Sequence, residues 1–202
     1  MKPLFAKGVS GQHIVSQSIA HDTNLIYITN ANAYYSAGDE IFISESNGLS
    51  LEYLGQATSV DSTKIITTFN VSEGKSSSAI VWKPTDLLKF YVSPSSPKDR
   101  KYYSGIDVVR TEGGVSYSSK ISDSYEITTL TFENYPRDNF AEIESWLKDT
   151  LNDFLEEFSY IDEQRQVCVV RILDNTVGHF EKNIKNVDFK INLEIIEKDE
   201  YI

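Results

Sequence analysis

Val187-Asp188-Phe189-Lys190-Ile191-Asn192-Leu193-Glu194-Ile195 alternates apolar and polar residues without a break. Successive side chains of a strand point to opposite faces. The pattern therefore places Val187, Phe189, Ile191, Leu193 and Ile195 on a dry face and the residues between them on a wet one. A sheet with one wet face is the mark of antiparallel pairing. A second strand is expected at Gln166-Val167-Cys168-Val169-Val170-Arg171-Ile172-Leu173, and a third at Tyr125-Glu126-Ile127-Thr128-Thr129-Leu130-Thr131-Phe132.

Between these strands the period changes. Phe140, Ile143, Trp146, Leu147, Leu151, Phe154, Leu155 and Phe158 recur at spacings of three and four, which predicts one amphipathic helix over residues 140–157. Pro136 precedes it. Asn139 with Glu142 three residues on fits a capping box, and Asp138 is a rival cap. Asp138, Glu142, Glu144, Asp149, Asp153, Glu156 and Glu157 are opposed by Lys148 alone, so an acidic outer face is expected. Strands on both sides of a single helix, with no β-α-β alternation, indicate an α+β fold that is mainly β. They speak against Rossmann and α/β-barrel folds.

The first half reads as short strands at roughly ten-residue spacing. These are residues 24–29, 41–44, 51–55, 64–69 and 79–82, and no helical periodicity competes with them. Gly38-Asp39 marks a turn before the second strand. Ser46-Asn47-Gly48 marks a hairpin after it, because Asn and Gly tolerate the positive φ that tight reversals demand. Such spacing suggests a small antiparallel β-barrel or sandwich. Pro84, Pro94 and Pro97 punctuate residues 83–105 as a passage between units, with residues 87–92 a strand of the second unit. Strand Ile106-Asp107-Val108-Val109-Arg110 and a turn at Gly113-Gly114 follow.

At 202 residues, and about 100–150 per domain, two small domains are expected. One is a small β-barrel accessory module over 13–83. The other is an antiparallel β-sandwich packed with the long helix over 84–202, joined by residues 1–12 if the module is an insertion. No apolar run approaches the roughly 18 residues of a spanning helix, so no membrane insertion is expected. Residues 1–8 show no apolar core of a secretory leader, so none is expected.

The net charge of −11 is uneven. Residues 1–97 carry six Lys/Arg against eight Asp/Glu, and residues 98–202 carry thirteen against twenty-two. Such a surface repels phosphate backbones and disfavours specific nucleic-acid binding. It is compatible with a channel through which DNA slides without sticking, though a plain solubility role is the simpler reading.

No catalytic, cofactor-binding or metal site emerges from the motifs. His13, His21 and His179 stand in separate turn-like contexts without ligand spacing. The single cysteine, Cys168, excludes an intramolecular disulfide and reads as a buried thiol. Neither a nucleophile elbow nor a phosphate-binding glycine loop is present. The carboxylate pairs Glu156-Glu157 and Asp162-Glu163 read as a solvated helix face and a turn. Residues 133–138 open the helix, where anion binding competes with Asp138 and Glu142. The twelve tyrosines, among them Tyr34, Tyr35, Tyr91, Tyr102, Tyr103 and Tyr117, suit an interface or a sugar site, or simply reflect β propensity.

The order of segments in the second half resembles the distal tail protein family of long-tailed bacteriophages. There, strand 125–132 leads through Pro136-Arg137 into the helix with Trp146-Leu147. Phe158-Ser159-Tyr160-Ile161-Asp162, a strand ending Val169-Val170-Arg171-Ile172 and the long alternating strand follow. Residues 24–83, with Ala37-Gly38-Asp39-Glu40-Ile41-Phe42-Ile43 and Glu52-Tyr53-Leu54-Gly55, look like the small β-barrels appended to such proteins. In that family the ring-forming domain usually comes first, whereas here the small module does.

The resemblance implies a non-enzymatic virion component without cofactors. It would form a homo-oligomeric ring that continues the tail tube and contacts tube, hub and receptor-binding proteins, with DNA passing through the lumen. Tube, terminator and adaptor proteins are the nearest variants. A reading of another class is a monomeric carbohydrate- or receptor-binding module using Tyr34, Tyr35 and Tyr53. A third is a glycoside hydrolase with paired carboxylates.

Overall fold

In the computed structural model, which describes residues 2–48, 50–95, 99–103, 106–110, 116–120, 125–152, 155–173, 178–181 and 185–198, the alternating segment lies within one thirteen-residue strand. Val187, Phe189, Ile191, Leu193 and Ile195 are buried and the residues between them are not, as the period requires. In chain order the strands are β1 (Leu4–Ile14), β2 (Leu25–Tyr27), β3 (Glu40–Ser44), β4 (Glu52–Val60), β5 (Lys64–Thr67), β6 (Ile80–Lys89), β7 (Asp99–Tyr103), β8 (Ile106–Arg110), β9 (Ser116–Lys120) and β10 (Tyr125–Pro136). Helix α1 (Arg137–Asp149) follows, then β11 (Phe158–Ile161), β12 (Val167–Ile172), β13 (Gly178–Glu181) and β14 (Asn186–Lys198). Among the described residues the fold is mainly β with one α-helix, as expected. The turn at Gly113-Gly114 lies outside the described residues.

The chain divides into two compact units. One comprises Met1–Tyr91, Glu157–Val169 and Glu197–Ile202, and the other Val92–Glu156 and Val170–Ile196. Residues 84–89, expected to begin the second domain, instead continue β6 in the first unit. Pro84 fits because β6 pairs with β3 only from Ile80 to Trp82. Beyond that point its ladder partner is β1, with Val9 opposite Pro84. A strand paired on one side tolerates a residue that lacks an N–H.

The first unit is a run of antiparallel pairs in the order β2-β5-β4-β3-β6-β1-β11. The β3–β4 hairpin turns at the expected Asn47-Gly48, with Gly48 at φ +81° and its N–H on the Glu45 carbonyl at 2.9 Å. β1 changes direction along its length. Gly8 sits at φ +68°, where a Cβ would fall 2.3 Å from Thr85 Oγ1, and the register with β6 shifts between Ser10 and His13. Residues 4–6 thereby pair with β6 on one side and β11 on the other.

Two apolar clusters lie on opposite sides of β3, which is buried at all five positions. Ile41 and Ile43 join Val15, Ile26, Ile28, Leu54, Ile65 and Val81 in a cluster whose buried members all lie between Val15 and Val81. Phe42 faces the other way, into a cluster with Leu4, Ala6, Tyr53, Trp82, Ile161 and Val167. Chain from both ends of the unit thus covers the second face of the short-strand region.

In the second unit β10 pairs with β14, from Glu126 opposite Ile195 to Phe132 opposite Phe189, and β7 pairs with β10. β13 pairs with β14, and β8 pairs with β9 as a separate hairpin. Helix α1 lays Phe140 against Phe189, ring centroids 4.8 Å apart, and Phe189 stacks on Phe132 at 4.6 Å. Phe140, Ile143 and Leu147 are the helix residues that this face buries.

The helix is shorter than the apolar stripe and begins earlier. Its N-cap is Pro136 with extended backbone, so Asp138 and Asn139 lie inside the first turn and neither caps it by a side chain. It stops at Asp149 because Asn152 adopts φ +49°, a left-handed conformation that ends a helix. The expected continuation to residue 157 fails there. Leu155 is 75% exposed, Phe158 is the first residue of β11, and Phe154 lies outside the described residues. Trp146 is half-buried rather than central to the core.

Candidate functional site

The tyrosines proposed for sugar binding separate by burial. Tyr34 follows the 3-10 turn Ala31–Ala33 and is 47% exposed, its ring 3.9 Å from that of His13. Its neighbour Tyr35 points inward and is only 2% exposed. The Tyr35 hydroxyl donates to the carbonyls of Gly11 and, at 2.9 Å, Val81. His13, which lies in β1 and not in a turn, sets Nδ1 2.6 Å from the Gly11 carbonyl and 3.1 Å from the Tyr35 oxygen. Lys83 lies over the Tyr35 ring at 5.9 Å and bonds Asp39 at 2.6 Å. Burial pushes the Tyr35 phenol well above its ordinary pKa, and the Asp39 carboxylate adds to the shift. This group pins the end of β1 to the 3-10 turn and β6, and leaves Tyr34 alone of the three named tyrosines facing solvent.

Tyr53 belongs to a second group. It is 4% exposed, and its hydroxyl donates to Glu40 Oε2 at 2.5 Å. Glu40 Oε1 accepts from Gln56 at 3.0 Å and pairs with Lys89 at 2.5 Å. Burial first, and Glu40 second, hold the Tyr53 phenol far above its usual range. A carboxylate buried at the start of β3 is tolerated because three donors converge on it. A third group, Lys75 with Glu52, buries the lysine side chain completely. Its Nζ lies 2.8 Å from the Ser50 carbonyl and 3.5 Å from Glu52.

The first and third groups tie loops to strands and the second ties β3, β4 and β6 together. Asp39, Glu40, Lys75, Lys83 and Lys89 carried no periodic or motif signal because their partners are 13 to 49 residues away in sequence. Tyr35 and Tyr53 therefore cannot stack against a sugar. Tyr91 is 58% exposed beside Lys2, whose Nζ is 5.2 Å from the ring centre; the side chains of Tyr102, Tyr103 and Tyr117 lie outside the described set.

The remaining candidates resolve likewise. Glu156 and Glu157 are exposed. Asp162, expected on a solvated turn, is buried, and its Oδ1 accepts the N–H groups of Gln164 at 2.8 Å and Gln166 at 3.0 Å, which folds the β11–β12 turn. At the start of α1, Asn134 N–H donates to Asp188 Oδ1 at 2.7 Å and Arg137 N–H to the Lys185 carbonyl at 3.0 Å, so those donors are already engaged. Cys168 is buried in β12, His21 is exposed in a turn, and His179 lies in β13.

Among the described residues no three His, Cys, Asp or Glu side chains converge as metal ligands. No helix among them is long and apolar enough to cross a membrane. The exposed acidic residues of α1 are Asp138, Glu142, Glu144 and Asp149, as the helix pattern requires. Among the described residues β7 pairs with β10 alone, and β8 and β9 only with each other. The sequence matches no family model and no curated protein.

Proposed function

We propose that the chain is a non-enzymatic structural component of a long-tailed phage tail. It self-assembles into a ring of the distal tail type, continues the tail tube and anchors other tail proteins. The observation that carries this reading is the succession β10, α1, β11, β12 and, after the short β13, the long β14, which follows the order of segments on which the resemblance rests. The edge of β7, which pairs with β10 alone among the described residues, fits it as well, since cyclic symmetry closes strand edges that a monomer leaves open. An acidic lumen lets DNA pass without adhering.

The finer architecture belongs to the same reading. The strands of residues 13–83 close into a small barrel, supported by the Ser16 N–H on the Tyr27 carbonyl at 2.8 Å, which joins the end of β1 to β2 at the far end of the ladder. The β10–β14 sheet with α1 against it is half of the ring-forming sandwich.

Light scattering of the purified protein, with negative-stain images of the same fraction, tests the proposal. Rings with a central hole of duplex-DNA width are expected. A 22.9 kDa monomer at every concentration, remaining monomeric when mixed with tail-tube assemblies, overturns it.

A further inference from the structure

We draw no further inference here: the strongest candidate, the two-stranded hairpin of β8 and β9, has no third strand on either edge among the described residues, and nothing in the structure shows what covers it.

Discussion

Phe42 lies flat on Trp82, ring centroids 4.5 Å apart and planes 3° from parallel, where β3 and β6 pair these two residues directly. The stack is the middle of the second core of the first unit, with Ile161 and Val167 arriving from more than 75 residues downstream. Trp82→Ala removes the larger ring from a site only 5% exposed. The expected loss is about 3–5 kcal/mol, as for large aromatic truncations in closed cores. Urea unfolding checks it. A loss below about 1 kcal/mol would mean that β11 and β12 do not cover this face.

Gly55 and Gly48 both adopt positive φ, but their surroundings differ. A Cβ at Gly55 would meet the Phe69 ring at 2.8 Å and Thr68 Cβ at 2.9 Å, while one at Gly48 meets nothing within 4 Å. Gly48→Ala should cost only the left-handed backbone penalty, about 1–2 kcal/mol. Gly55→Ala adds overpacking of roughly 1–3 kcal/mol. Equal losses in the two variants would show that Phe69 does not press on β4.

Leu147 is fully buried on α1, whereas Trp146 beside it is half-buried. Leu147→Asp should abolish soluble folding, because it places an unpaired carboxylate inside the core. Trp146→Asp can turn its charge toward water and should yield folded, less stable protein. Circular dichroism and thermal melts of the two variants separate them. The reverse ranking would mean that the helix is rotated about its axis.

Tyr53 and Tyr35 hold their phenols protonated more strongly when folded than when unfolded, mainly through burial. Above pH of about 10, the unfolded chain releases these protons while the folded one keeps them, so stability falls as pH rises. Below that pH the contribution is constant. Tyr53→Phe should therefore flatten the alkaline limb of a stability-versus-pH curve. It should also lower stability at neutral pH, because Glu40 loses one of its three donors. An alkaline limb as steep as the parent's would remove Tyr53 as its cause.

Much of the fold was legible in local patterns. Strict alternation placed β14 and its buried face, the three-four spacing placed the inner face of α1, and Asn47-Gly48 placed the β3–β4 turn. These features depend on residues within a few positions of one another, where backbone geometry alone sets which side chains share a face.

The rest needed contacts between distant segments. Phe158 continues the helical stripe in sequence, yet it begins a strand, because Asn152 turns the chain and residues 159–161 find β1. Pro84 reads as a break, yet β6 passes through it, because β1 supplies the ladder where β3 has ended. Tyr35 and Tyr53 read as candidate sugar-binding side chains, yet hydrogen-bond partners far along the chain hold them inside. A period can say that a residue has a dry side, but only the packed chain decides what covers that side, since burial is a property of neighbours that sequence distance does not encode.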